Sequence, residues 1–263
     1  MFPRLFQIGS FSLPTYGLLV AIAFLAALGF ASHFAKKRGL NSEKIVNLGV
    51  YCALMGMLGA KLLMIVLDPE FRTHPAEIFS LATLQSAGIF FGGFILALVF
   101  AFFYIRAQRL PVLTTFDIFA PGIALGHGIG RLGCFAAGCC WGKPTHLPWA
   151  VTFTNPDATT GVPLGIPLHP TQLYEAVAEG FICLFLIWTL NRKHREGAVI
   201  GFYLLFYGLV RFGVEFLRMH DSSNPLGGPF TLEQWISLAL AVAGLYLAFR
   251  PQAVSTPREL RAT

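Results

Sequence analysis

Apolar stretches long enough to cross a hydrocarbon core alternate along this chain with short basic clusters. Two runs without a charged residue, 5–35 and 78–105, exceed the ~20 residues such a crossing takes, and several others approach it. The pattern predicts seven spans: about Thr15–Ala35, Ile45–Leu67, Gly88–Tyr104, Leu113–Cys134, Thr171–Leu190, Ala198–Arg218 and Glu233–Phe249. Residues 1–13 read as a short amphipathic lead-in, with Pro14 placed to open the first helix. Residues 68–87, which mix Pro75 and Gln85 with apolar positions, read as an arm lying at the interface. The longest polar interval, 142–169, is rich in Pro, Thr and Gly and reads as a small extramembrane head, while 219–230 is a loop. Pro121 predicts a kink in the fourth span.

The fold class is therefore an all-α polytopic membrane protein, one integral membrane domain over 1–263. Composition agrees, at 55% hydrophobic and 12% charged, against about 25% charged in a soluble domain. The net charge of +6 does not indicate nucleic acid, because the basic residues fall between apolar runs rather than on one soluble face. They carry topology instead. If the KKR, RAQR and NRKHR loops and the C-terminal tail share a side, that side holds 12 of the 19 lysines and arginines, and the opposite side only Arg4, Arg72 and Lys143. The positive-inside rule then puts the N-terminus outside, the C-terminus in the cytoplasm and the head on the outer face. That requires an odd number of spans. The N-terminus lacks a basic region followed by a small-residue cleavage site, so an uncleaved first span is expected. No internal repeat of the kind that marks many carriers is visible.

Four cations remain inside spans or at their ends: Lys61, Arg131, Arg211 and Arg218. An arginine at a helix centre costs roughly 2.5–3.5 kcal/mol on insertion scales, so each needs compensation. Arg211, Glu215 and Arg218 stand at i, i+4, i+7 and project from one helical face. Such a ladder either pins helices together or, with Arg131 added, leaves a surplus of positive charge that takes an anion. In a membrane the abundant anion is a lipid phosphate, which guanidinium groups contact in bidentate fashion.

Arg131 lies in the stretch Gly126–Lys143, whose five glycines from Gly126 to Gly138 let a backbone or a ligand approach closely. His127 precedes Arg131 by one turn. It is a packing residue or, facing a cavity, a base or donor, with a neutral imidazole favoured beside the arginine. At the fifth span His169, Gln172, Tyr174 and Glu175 sit where the head meets the membrane, and both Tyr174 and Tyr16 read as interfacial anchors or site residues. Five cysteines, Cys52, Cys134, Cys139, Cys140 and Cys183, give no disulfide framework. Cys134, Cys139 and Cys140 with His127 and His146 match no common zinc signature, so no metal is expected and the cysteines read as packing residues.

Taken together, Leu13-Pro14-Thr15-Tyr16-Gly17-Leu18, Gly88–Gly93, Gly130-Arg131-Leu132-Gly133 with Phe135 and Gly142, His169–Glu175 as HPTQLYE, and Arg211–Arg218 as RFGVEFLR resemble the bacterial prolipoprotein diacylglyceryl transferases. The resemblance covers most of the chain. It implies a seven-span inner-membrane enzyme with a periplasmic head, no metal or organic cofactor, and transfer of a diacylglyceryl group from phosphatidylglycerol to the lipobox cysteine of a preprolipoprotein. The family's key tyrosine corresponds to Tyr16, its signature arginine to Arg131, its closing glycine to Gly142 and its later arginine pair to Arg211 and Arg218. On this reading Arg131, Arg211, His127 and Tyr16 are catalytic. Arg131, Arg211, Arg218, Glu215, Gly142, Gly92, Gly93 and Tyr174 bind the phospholipid.

The signature departs from the family's usual Gly-Asn-Phe-x-Asn-x-Glu: Cys134, Ala137 and Cys139 replace both asparagines and the acid. Phe91 stands where a histidine is often found. His127 is expected to take over part of that histidine's role. A diverged paralogue with another donor or acceptor, or a non-enzymatic phospholipid-binding or flipping protein, would share the basic cluster.

Overall fold

The computed structural model describes residues 2–8, 11–80, 83, 88–156, 160–219 and 227–251. Seven helices are long and apolar enough to cross a membrane: α1 (Thr15–Lys37), α2 (Ser42–Leu67), α4 (Phe90–Ala107), α5 (Val112–Ala137), α6 (Thr171–Leu190), α7 (Ala198–Glu215) and α8 (Leu232–Phe249). All seven predicted spans are present. A single turn, α3 (Glu70–Thr73), and a 3-10 turn (Pro75–Phe79) occupy the described part of the arm, whose residues 81–82 and 84–87 lie outside the described set.

The lead-in folds as a hairpin. β1 (Arg4–Ile8) and β2 (Phe11–Pro14) pair antiparallel, with an irregularity between Arg4 and Phe6, and Pro14 ends β2 directly before α1. A proline at the last strand position gives up no ladder donor that the hairpin needs. The seventh-to-eighth connection differs from the one expected. The predicted span to Arg218 stops at Glu215, because Leu217 and Arg218 turn away to pair with Gly142 and Lys143. α5 runs unbroken through Pro121.

The chain packs as two units, residues 1–27 with 116–263 and residues 28–115. In the second unit α2 and α4 cross on glycine. A Cβ on Gly59 or Gly92 would strike the other's backbone, and one on Gly93 would meet Gly56 O at 2.5 Å. Without a hydrophobic driving force between helices in lipid, such bare backbone contact is what holds a crossing. Gly92 and Gly93, expected to bind phospholipid, are thus committed on their Cα faces to α2. Lys61 donates to the Thr83 carbonyl, so the arm supplies the acceptor that this intramembrane cation needs.

In the first unit α7 and α8 cross on Gly201, Gly208 and Gly244, where a Cβ would collide with the opposite backbone. α8 begins with a capping box, Thr231 and Gln234 satisfying each other's backbone N–H. α7 is capped from a distance: the buried Asp117 of α5 accepts from Gly197 N (2.7 Å) and Ile200 N (2.8 Å). A carboxylate at a helix N-terminus satisfies orphan donors and favours the macrodipole. The head contributes β3 (Val151–Thr152) and β4 (Pro167–Leu168), paired antiparallel, over a small core of Phe153, Val162 and Leu168 packed against Phe135 and Trp141. α5 is therefore fixed at both ends, to α7 by Asp117 and to the head by Phe135.

Candidate functional site

The glycines of α5 let its neighbours approach. A Cβ on Gly122 would meet Ala27 O at 2.9 Å, one on Gly133 the Tyr16 ring at 3.0 Å, and one on Gly128 both Ala176 O and Glu179 Cβ at 3.3 Å. α1 and α6 thus lie against α5, and the space beside Gly130 stays open, with nothing within 4 Å of its would-be Cβ. Arg131 projects next to that opening. At 1.5 Å per residue it lies about 9 Å inside the end of α5.

Close packing of α6 brings two acids onto the basic cluster. Glu175 and Glu179, one turn apart and 2% and 1% exposed, face His127 and Arg131. Glu175 Oε2 lies 2.7 Å from Arg131 Nε, and its Oε1 lies 3.6 Å from Arg211 Nη1. Arg211 Nη1 is also 2.8 Å from Glu215 Oε2, and Thr231 donates to Glu215 Oε1 at 3.3 Å. One carboxylate therefore spans the two arginines that the sequence placed on separate helices. Arg218 is beside the cluster in sequence but does not join it by an ion pair among the described residues; its buried Nε has no hydrogen-bond partner there.

This corrects the expected surplus of positive charge. Arg131, Arg211 and Arg218 equal Glu175, Glu179 and Glu215 in number, although Glu179 pairs with His127 and Arg218 makes no ion pair among the described residues. The sequence reading counted charges along α7 plus Arg131 and omitted the acids that α6 carries to the same place.

His127 has both ring nitrogens engaged. Nδ1 is 2.9 Å from Glu179 Oε1, and Nε2 accepts from Arg131 Nε at 3.2 Å. The ring therefore lies between the Arg131 guanidinium on its Nε2 side and the Glu179 carboxylate on its Nδ1 side. Tyr207 of α7 closes over the ring edge-on, with centroids 5.3 Å apart.

The other predicted residues surround this centre. Tyr16 packs on Gly133. The Tyr174 hydroxyl accepts from Trp149 Nε1 at 2.8 Å and lies 3.2 Å from His169 Nδ1, which ties the head to α6. Gly142 works through its backbone: its N–H donates to His169 O at 3.0 Å, and a Cβ would stand 2.6 Å from His169 Cβ and 2.7 Å from Leu217 O. Thr171 and Gln172 donate to the carbonyls of Cys140 (2.8 Å) and Cys139 (2.6 Å). The HPTQLYE segment thus holds the signature turn and supplies Glu175. Its acid was visible in sequence without a partner; Glu179, one turn on, was the second signal, an intramembrane acid at i+4 on the same face.

Cys134, Cys139 and Cys140, expected to be packing residues, converge, their sulfurs all within 4.8 Å of one another. Cys139 and Cys140 lie beyond the end of α5. Hydrogen bonds from Cys134 and Cys139, aided by the Arg218 and Arg131 charges, hold the Cys140 thiol well below its ordinary range. Hydrogen bonding to Cys134 and Cys140, with burial, pushes Cys139 up.

The family described as prolipoprotein diacylglyceryl transferase matches residues 3–250. The chain is 35% identical over 247 residues to the phosphatidylglycerol--prolipoprotein diacylglyceryl transferase of Clostridium tetani, covering 94% of this chain and 96% of that relative. It is 34% identical over 257 residues to the protein of the same name from Geobacter sulfurreducens, covering 94% of each. A Clostridium perfringens relative named phosphatidylglycerol--prolipoprotein diacylglyceryl transferase 2 is 30% identical over 238 residues, covering 89% of each.

Proposed function

This chain belongs to the prolipoprotein diacylglyceryl transferase family, and on that premise we propose that the Glu175-bridged arginine pair is where it transfers a diacylglyceryl group from phosphatidylglycerol to a prolipoprotein. The observation that carries the assignment is Glu175 lying between Arg131 and Arg211, with the His127–Glu179 pair one turn away. The acceptor is the lipobox cysteine thiol of a preprolipoprotein. The enzyme sits in the bacterial inner membrane with its N-terminus and head in the periplasm.

Phosphatidylglycerol enters with its acyl chains among the helices, and its phosphate draws Arg131 and Arg211 off Glu175. That exchange leaves His127 Nε2 without the Arg131 N–H, so the lone pair becomes available. The acceptor thiol, with an ordinary pKa near ~8.5, gives its proton to Nε2 while Glu179 holds Nδ1–H and stabilises the imidazolium. The thiolate attacks the glycerol carbon bonded to the phosphate ester oxygen. A C–S bond forms, the C–O bond breaks, and its electron pair leaves with glycerol phosphate. Charge grows on that leaving group, so the two guanidiniums stabilise the transition state more than the ground state. Glu215, held by Arg211 and Thr231, keeps Arg211 in register, Arg218 adds positive potential, and Tyr16 and Tyr174 line the approach.

Purified protein incubated with phosphatidylglycerol and a lipobox peptide is expected to yield the diacylglyceryl peptide by mass spectrometry. Recovery of both substrates unchanged, with lipid merely bound or moved between leaflets, would refute the assignment. His127→Ala is expected to slow transfer by about 10²-fold or more. The loss is greatest at low pH, where little thiolate forms without a base, and shrinks as pH rises toward the thiol's own pKa. A uniform loss across the pH profile would make His127 a positioning residue for Arg131 instead.

A further inference from the structure

The signature turn carries a second cluster whose chemistry the transfer reaction does not use. α5 ends in a Schellman motif: Cys139 N donates to Cys134 O at 3.0 Å and Gly138 N to Phe135 O at 3.2 Å, with Gly138 at φ 76°. That motif brings the side chains of its first and last residues together, and here both are cysteines. The next residue, Cys140, is left-handed at φ 62° without being glycine. A side chain in that region is strained unless its surroundings hold it. They do: the buried Thr171 and Gln172 anchor the Cys140 and Cys139 carbonyls, and Thr160 Oγ1 donates to Gly138 O at 2.5 Å. The outcome of these constraints is three sulfurs within 4.8 Å of one another.

We propose that Cys134, Cys139 and Cys140 form a three-sulfur binding site for a thiophilic d10 cation, Zn2+ or Cu+. Sulfurs at ~2.3 Å from a zinc ion stand ~3.8 Å apart in a tetrahedron, so the cluster needs to close by about an ångström at most. Soft thiolate donors select these two ions over harder ones. Three thiolates around a divalent ion carry a net negative charge, and the guanidiniums of Arg131 and Arg218 are within electrostatic reach to balance it. All three cysteines are partly exposed, which gives the ion a path in and leaves room for a solvent ligand at zinc, whereas Cu+ is content with trigonal sulfur. The bound ion would lock the turn that carries the chain from Arg131 to Gly142.

The test uses full-length protein purified in detergent, reduced and freed of metal, with Co2+ as the spectroscopic probe. A thiolate-to-cobalt charge-transfer band saturating at one ion per chain is expected. Zn2+ displaces the cobalt if the site prefers zinc; competition with a Cu+-specific chelator shows retention if it prefers copper. Cys134→Ser, Cys139→Ser and Cys140→Ser are each expected to lose the band, and Cys52→Ser and Cys183→Ala to keep it. No cobalt band, together with no Cu+ retained against the chelator, in the reduced wild-type protein overturns the proposal without recourse to any variant. So does a band that persists when all three cysteines are serine, or two of the three thiols found as a disulfide that takes no cobalt once reduced.

Discussion

Arg131→Ala and Arg211→Ala are each expected to lower diacylglyceryl transfer by about 10²–10³-fold or more, the cost of removing a group aimed at developing charge in a water-poor site. The reason is geometric as well as electrostatic. Arg131 enters from α5 and Arg211 from α7, both within reach of Glu175, so in the proposed mechanism a phosphate is met from two helices. Losing either leaves a single guanidinium to meet charge that spreads over several oxygens. Arg131→Lys is expected to recover little, because a compact ammonium reproduces neither the fork of donors nor the contact of Arg131 Nε with His127. The measurement is single-turnover transfer to a lipobox peptide, with membrane insertion checked in parallel. Near-wild-type rates in both alanine variants would remove the leaving-group role from this pair.

Glu175→Ala is expected to damage stability and activity together. Breaking a buried pair by deleting one partner costs about 3–5 kcal/mol, since the remaining charge is left without compensation. Here the deletion takes away the ion-pair partner of Arg131, leaves Arg211 with Glu215 alone, and removes the acid lying 3.8 Å from His127 Nε2. Glu175→Gln keeps the shape and loses the charge, so it should recover part of the folding energy and little of the rate. Thermal unfolding in detergent, read beside transfer activity, separates the two effects. A Glu175→Ala protein as stable as wild type would mean that Arg131 and Arg211 find other partners, and that Glu175 does not organise the site. A phosphatidylglycerol headgroup is expected to restore some stability to Glu175→Ala by supplying the missing negative charge.

The seven spans were legible in the chain because a membrane crossing is a local property. Length, hydropathy and the absence of charge over each run are enough to specify it, and backbone hydrogen bonding in lipid leaves helix as the sole outcome for such a run. The lead-in escaped that logic: its hairpin depends on pairing between Arg4–Ile8 and Phe11–Pro14, which no helical period reveals. The site was legible in part. Arg131, Arg211 and Glu215 could be singled out because charge inside an apolar run is costly wherever it occurs. Glu175 could be seen and not assigned, because its partners lie on two other helices.

What the sequence by itself determined is therefore the set of crossings, the cations that each needed compensation, and the family to which their order and spacing point. What only the tertiary structure decided is who compensates whom. His127 meets Glu179 across 52 residues of chain, Arg131 and Arg211 meet at Glu175, and Cys134, Cys139 and Cys140 meet through a helix cap and a strained turn. The physical reason is that the cost of an intramembrane charge is fixed by the residue and its depth. Its remedy depends on distance, and the relevant distances are set by how closely bare glycine faces such as that of Gly128 let neighbouring helices approach.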